Sequence, residues 1–387
     1  MKRALVLCGG GSLGAYEAGA IDKMVERGMS FQIVTGTSIG SLNGFYVATH
    51  QEKEIAPLWS KIGVEDLIKG GFNLNQADLK AAVKERALAN IAATYHHGVD
   101  ISPYVSLLKR IVDPSLIVGR KDCLLGVVYT KRRGMKEMRQ LLNDASPDMV
   151  IDYLLASSAC YPIFPAHKIN GVEMIDGGWT NNLPIDYALS LGADEVWAVL
   201  LHSWPKNPQK PEYRKLPSVH VIEQSRELGT ILDFDREALE KARKIGYLDA
   251  GKELGDYVGF RYAFQRTPAL TERAHAFYLP LAQEPKRYEA LRAHVPYHHT
   301  KPSGEVELYV RVLEHLGHRY GMDPTEVYDP EEFRKKVREL SLSFTPTKGK
   351  EEHPVQKYLR LYFSGKKPKP MGVGKEYMLL YAQCLAD

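Results

Sequence analysis

Ser38 stands in Gly36-Thr37-Ser38-Ile39-Gly40, a G-x-S-x-G pattern that offers a serine hydroxyl as a nucleophile. Such a nucleophile needs a sharp, strained turn with small neighbours, so that strand and helix backbones can close around it. Gly36 and Gly40 meet that need. A helix opening at Ile39 also sets its positive end beside Ser38, which favours negative charge developing on a substrate oxygen. The same residues describe a turn with an N-capping serine; the strand–turn–helix setting favours the nucleophile.

A nucleophile needs donors for the oxyanion and a base for its proton. Gly9-Gly10-Gly11-Ser12-Leu13-Gly14 satisfies G-x-G-x-x-G, the dinucleotide fingerprint, and a nucleotide-binding enzyme is one reading. That reading requires an acidic residue at the end of the second strand, where this chain has Thr35-Gly36 and the serine turn. Successive glycines instead expose backbone N–H groups, each typically worth ~3 kcal/mol to a tetrahedral intermediate. For the base, thirteen histidines leave a histidine triad open by count. Chain order argues against it, because only one strand precedes the one that leads into Ser38. His294 and His298 are four apart, but Pro296 between them weakens a helical metal site; the histidines read as surface or capping residues. Asp176 ends a short strand before Gly177-Gly178, which presents a carboxylate from a tight turn at a sheet edge. Asp-Gly-Gly is also an ordinary turn, and the turn alone does not single out a base.

The elements that must position these groups are legible in outline. Residues 3–8 and 31–35 read as apolar strands, and 15–27 and 39–49 as helices. This β–turn–α–β–turn–α opening predicts an α/β fold with a parallel sheet and crossover helices. Residues 50–120 are read as mostly helical, with Gly70-Gly71 as a breaker, and interrupt the pattern as a candidate cap. Further strands are expected at 122–129, 172–175, 195–201 and 219–222. Further helices are expected at 147–157, from Pro184 to about Leu191, and at 235–254, where Leu239, Ala242, Ile245 and Leu248 share a face. The proline-bearing stretch 204–217 reads as a surface loop or boundary. Beyond about residue 255 the pattern changes. Helical stretches near 305–318, 330–340 and 375–386 alternate with polar segments, including the loop Ser364–Pro370. Residues 1–250 are thus expected to form the catalytic unit and 255–387 a mostly helical C-terminal region.

Bulk properties narrow the function classes. The 387 residues are 44% hydrophobic and 25% charged, ordinary for a globular chain with a large core. A formal charge of +4 is too small and scattered to argue for nucleic acid, and is compatible with an anionic membrane surface. No run of eighteen apolar residues predicts a transmembrane helix. Lys2-Arg3 and Ala18-Gly19-Ala20 outline a signal peptide. The apolar run between them is only Ala4–Cys8, broken by Gly9-Gly10-Gly11, and reads as a strand feeding a glycine turn. Cys8, Cys123, Cys160 and Cys384 have no CxxC or metal spacing and read as reduced thiols in a cytoplasm.

Taken together, G-G-G-S-L-G at 9–14, G-T-S-I-G at 36–40 and D-G-G at 176–178 resemble the patatin-like phospholipase family in order and spacing. The likeness extends through Ala15-Tyr16-Glu17-Ala18-Gly19, Ser41-Leu42-Asn43, Ala156-Ser157-Ser158-Ala159, Phe164-Pro165 and Gly246-Tyr247, covering about residues 3–250. The resemblance implies a mainly parallel sheet with helices on both faces and a Ser-Asp dyad: Ser38 attacks the acyl carbon, Asp176 is the general base, and the amides of Gly10 and Gly11, with Ser12, form the oxyanion hole. It implies a lipid acyl-ester substrate, an acyl-enzyme hydrolysed by water, transient contact with a membrane surface, and neither metal nor other cofactor. Leu13 stands where the family often carries Arg or Lys, a departure that bears on phospholipid head groups. The proline after Ala-Ser-Ser-Ala comes one place late, at Pro162, which predicts an altered loop near the pocket. A non-catalytic lipid-binding or regulatory protein on the same scaffold is the alternative.

Overall fold

In the computed structural model, which describes residues 1–71, 98–202, 212–295, 304–343, 352–370 and 377–386, the chain opens as β1 (Arg3–Leu7), α1 (Gly14–Glu26), β2 (Ile33–Thr37) and α2 (Ile39–Ala48). Next come α3 (Ile55–Lys61), α4 (Ser102–Ile111), β3 (Leu124–Lys131), β4 (Lys136–Leu141) and α5 (Val150–Ser157). After them come β5 (His167–Ile169), β6 (Val172–Asp176), α6 (Ile185–Ser190), β7 (Glu195–Leu200), β8 (Val219–Glu223) and α7 (Arg236–Glu253). These elements belong to the first of two compact units, Met1–Glu253. Residues 72–97 of the candidate cap, 203–211 of the proline-bearing loop, and Pro296 and His298 lie outside the described residues.

Among the described residues the main sheet has the order β5-β6-β3-β2-β1-β7-β8, with β4 pairing β3. β1, β2, β3, β7 and β8 are parallel neighbours, while β4, β5 and β6 add antiparallel hairpins. The central strands are apolar and buried along their length, as expected for a parallel sheet covered on both faces. Helices do cover both. Gly44 of α2 packs on Val34 and Leu125, whereas Tyr187 of α6 packs on Gly126, whose side of the strand is the opposite one. Two hairpin strands escape the sequence reading for a physical reason. β4 is a half-exposed strand whose charged and apolar residues make no run, and β5 is three residues long.

The second unit, Leu254–Asp387, is mostly helical, with a small sheet that the sequence reading does not anticipate. It contains β9 (Tyr257–Val258), β10 (Ala263–Gln265), α8 (Pro268–Ala282), α9 (Pro285–His294), α10 (Glu305–Arg319) and β11 (Val327–Tyr328), followed by α11 (Pro330–Ser343), α12 (Pro354–Phe363) and α13 (Met378–Leu385). β9 is antiparallel and β11 parallel to β10. Tyr262, Phe264, Leu313, Phe333, Leu359 and Tyr381 belong to its core. The helices at 268–282, 285–294 and 354–363, missing from the sequence reading, all open on proline, whose fixed φ and absent N–H suit a first helical turn.

Candidate active site

The register of β3 explains how Ser38 and Asp176 meet. Val127 pairs with Gly36 and Gln140, and Tyr129 pairs with Asp176 and Met138. A strand has two edges, and β4 occupies one, so β2 and β6 share the other. They run towards each other along it. β2 ends at Thr37 opposite Val128, and β6 ends at Asp176 opposite Tyr129. Ser38 follows Thr37 at that junction.

Ser38 holds φ 54° and ψ −125°, a left-handed conformation that strains any residue with a Cβ. Long-range contacts hold it there. Its amide donates to Ser157 Oγ at 2.8 Å, and that hydroxyl donates to the Val128 carbonyl at 2.7 Å. Ser41 Oγ donates to the Ser38 carbonyl at 2.6 Å. A Cβ on Gly40 would lie 2.7 Å from the Leu7 carbonyl oxygen, and one on Gly36 would run into the Gly40 carbonyl, so the turn closes only with glycine on both sides. The Ser38 hydroxyl does not cap α2. It lies near enough to the Asp176 carboxylate to favour the charged form of that group.

Asp176 is 8% exposed. Burial raises its pKa from 3.8 to about 6, opposed by the nearby Ser38 hydroxyl and by a hydrogen bond from the Gly178 amide at 2.7 Å. A carboxyl so tuned is largely ionised at neutral pH, yet basic enough to accept a proton. A Cβ on Gly177 would strike the Val128 carbonyl, and one on Gly178 would lie 2.8 Å from Asn182 Oδ1, so both glycines serve close packing behind the carboxylate.

The glycine loop lies beside this pair. Gly9 donates its amide to the Asn182 carbonyl at 3.1 Å. The amides of Gly10 and Gly11 have no acceptor among the described residues, and both residues line the pocket. Ser12 is a correction to the sequence reading. Its amide is held by the Ile231 carbonyl at 2.9 Å and its hydroxyl by the Thr230 carbonyl at 2.9 Å, so it has no free donor to offer an oxyanion. Gly14 closes the loop by close packing: a Cβ there would press on Ile39 and Trp59 at 2.5 Å each.

An apolar pocket lies over these groups. Ile39 and Leu42 of α2 wall it with Trp59, Leu67 and Tyr104 from the 50–120 stretch, and with Phe164, Ile231 and Phe234. Among the described residues its lining includes no His, Lys or Arg. Leu13 is buried and outside that lining. Cys160 lines the pocket, but burial and the Asp176 charge push its thiol up to about 12, so it stays protonated at neutral pH. The loop after it carries a cis Tyr161–Pro162 bond and contributes Ile163 and Phe164 to the wall.

Three supporting residues escape the sequence reading. Ser157 braces the Ser38 amide. Asn182 donates to the Gly9 carbonyl at 3.1 Å. Tyr104 donates to Ser158 Oγ at 3.0 Å. Ser157 and Ser158 lie in a motif that carries the family resemblance, which was the available signal; Asn182 gives none. Several described histidines have other partners: His50 with Asp122, His167 with Asp152, and His353 with the Val355 amide at the start of α12. Among the described residues no three His, Cys, Asp or Glu side chains gather as metal ligands, and no helix is long and apolar enough to cross a membrane.

Comparison with known proteins points to lipases and lysophospholipases. The family model described as patatin-like phospholipase matches residues 5–189. Triacylglycerol lipase 4 of Saccharomyces cerevisiae is 22% identical over 206 residues, and lysophospholipase NTE1 of Pyricularia oryzae is 28% identical over 197 residues. These matches cover 48% and 50% of this chain but only 22% and 12% of those relatives. The crystal structure of VipD from Legionella pneumophila aligns over 99% of this chain and 85% of that one at 12% identity, with a TM-score of 0.44, a likeness too distant to place any residue. Residues 5–189, just under half of the chain, thus carry the match to the patatin-like phospholipase family.

Proposed function

We propose that the protein is a lipid acyl hydrolase working through a Ser38–Asp176 dyad. The observation that carries this reading is the placing of the strained Ser38 turn beside the buried Asp176 carboxylate, where β2 and β6 end on neighbouring residues of β3, inside an apolar pocket. Ser38 Oγ attacks the ester carbonyl carbon as Asp176 takes its proton. The carbonyl oxygen becomes an oxyanion facing the amides of Gly10 and Gly11. The intermediate collapses to an acyl-Ser38 ester, and the departing alkoxide takes the proton back from Asp176. Water then attacks the acyl-enzyme with Asp176 again as base, releasing the fatty acid and restoring Ser38. The apolar wall suits an acyl chain. It presents no cation for a head-group phosphate among the described residues, in keeping with Leu13 in place of a basic residue.

A fluorophosphonate probe, read by mass spectrometry, is expected to label Ser38, and both Ser38→Ala and Asp176→Asn to abolish turnover of short acyl esters. Full activity in Asp176→Asn would sink the dyad. Vesicle or fatty-acid binding without any labelling would favour a non-catalytic lipid-binding protein instead.

A further inference from the structure

Two hairpins rise past Ser38 from the same end of the sheet. β3 continues beyond the row of Asp176 to Lys131 and turns through Arg132–Met135 into β4. β5 turns through Asn170-Gly171 into β6, which descends to Asp176. At about 3.3 Å per strand residue, the two turns stand roughly 10–15 Å beyond that row.

Basic side chains outnumber acidic ones at these tips, where Glu173 faces Lys168 across the ladder. Arg132 is committed to the fold: it donates to Glu173 and to the Tyr161 hydroxyl, each at 2.8 Å, and lies 4.3 Å over the Tyr161 ring. Lys131, Arg133, Lys136 and Lys168 have no ion pair among the described residues, and all but half-buried Lys131 are exposed. Lys131 and Lys136 stand directly opposite each other across the ladder. Like charges in that position repel and destabilise the hairpin in water, and an anionic surface would relieve them.

The tips are also apolar. Met135 is 47% exposed and Val172 is 37% exposed. The other large exposed apolar side chains described in Met1–Glu253 are Met1 and Leu216. Met135 holds φ 46°, a left-handed conformation that Asn or Gly adopts at less cost. Basic side chains around an exposed apolar tip match an anionic bilayer, whose phosphates take the charges while its headgroup region takes the apolar ends.

We infer that the 132–136 and 168–172 hairpin tips dock the protein on an anionic lipid bilayer, with Arg133, Lys136 and Lys168 on lipid phosphates and Met135 and Val172 entering the headgroup region. The inference rests on the lipid-hydrolase reading and adds the face that meets the bilayer. Docked this way, the Ser38 end of the sheet faces the membrane.

The full chain carrying Ser38→Ala, which consumes no lipid, is tested by flotation with phosphatidylcholine vesicles, with and without phosphatidylserine. Binding is expected only with phosphatidylserine, and is expected to weaken in high salt. Each cation near such a surface strengthens binding by about fivefold, so Arg133→Gln, Lys136→Gln and Lys168→Gln combined should weaken it on the order of a hundredfold. Met135→Asn, which suits the left-handed backbone, should weaken it as well. Thermal unfolding controls for folding: Lys136→Gln alone should melt no lower than the parent, since it removes the repulsion from Lys131. With Ser38 intact, the triple variant should keep turnover of a soluble short-chain ester and lose turnover of a vesicle-borne one. Equal binding by parent and triple variant, equal binding to both vesicle types, or no vesicle binding overturns the docking face. Failure of the probe to label Ser38 overturns the hydrolase reading and leaves the flotation result standing.

Discussion

At the scale of single residues, Asp176 links activity to stability. As the base it must be ionised, so kcat/KM for a short ester should rise with pH through about 6 and level off above it. The stability sign is opposite. The folded-state pKa lies above the unfolded value, so stability is fullest below the unfolded pKa of 3.8 and is lost as pH rises through about 6. That rise corresponds to roughly 3 kcal/mol. Asp176→Asn keeps an acceptor for the Gly178 amide without the buried charge. It should be inactive yet melt higher than the parent near neutral pH, an advantage that fades as pH falls towards 4; equal melting at all pH values would contradict the buried-charge account. Ser157 acts through Ser38. Ser157→Ala removes the acceptor for the Ser38 amide, and the expected result is a kcat lower by about tenfold or more with KM little changed, measured on a soluble ester. Ser38 and the Gly10-Gly11 loop are legible in the sequence because each forms within a few residues. Ser157 and Asn182 are not, because their work is done across long stretches of chain, on Ser38 and Gly9.

At the scale of elements, the parallel strands are legible because burial on both faces demands unbroken apolar runs, as in Ala4–Leu7 and Val196–Leu200. The hairpin strands β4 and β5 carry the composition of a half-exposed edge, and nothing in it separates them from loop. What remained hidden is the consequence that matters most: β6 returns along the edge of β3 that β2 has left free, and so delivers Asp176 to Ser38. The crossing of α1 and α7 is a second case of close approach. A Cβ on Gly19 would press into the Arg243 carbonyl, and one on Gly246 into the Tyr16 carbonyl. Both obstacles are backbone, which cannot swing aside as a side chain does. Gly246→Ala should therefore destabilise by about 1–3 kcal/mol despite a gain in helix propensity, measured by urea unfolding. A neutral or stabilising result would mean that the two helices can separate without loss.

At the scale of the whole molecule, Ser38, Asp176, the glycine loop and the described pocket lining all fall within Met1–Glu253. Leu254–Asp387 has a core of its own and secures its own terminus. The last carbonyls of a helix lack partners within it. At the end of α13, Arg334 donates to the Leu385 and Ala386 carbonyls at 2.7 Å each, and Arg273 donates to Ala386 at 3.2 Å. Arg334 is buried and also pairs with Glu331, so Arg334→Ala strips those carbonyls of a donor and leaves the carboxylate with Arg273. The expected cost is about 1–3 kcal/mol, and it should appear in calorimetry as a lower-temperature transition of residues 254–387. If the chemistry needs only the first unit, a chain ending at Glu253 should hydrolyse a soluble short-chain ester with the kcat of the full chain. Arg334→Ala should do the same below its first transition. A truncated chain that keeps the far-ultraviolet circular dichroism of a folded α/β unit, yet turns over no ester, would assign part of the reaction to the second unit.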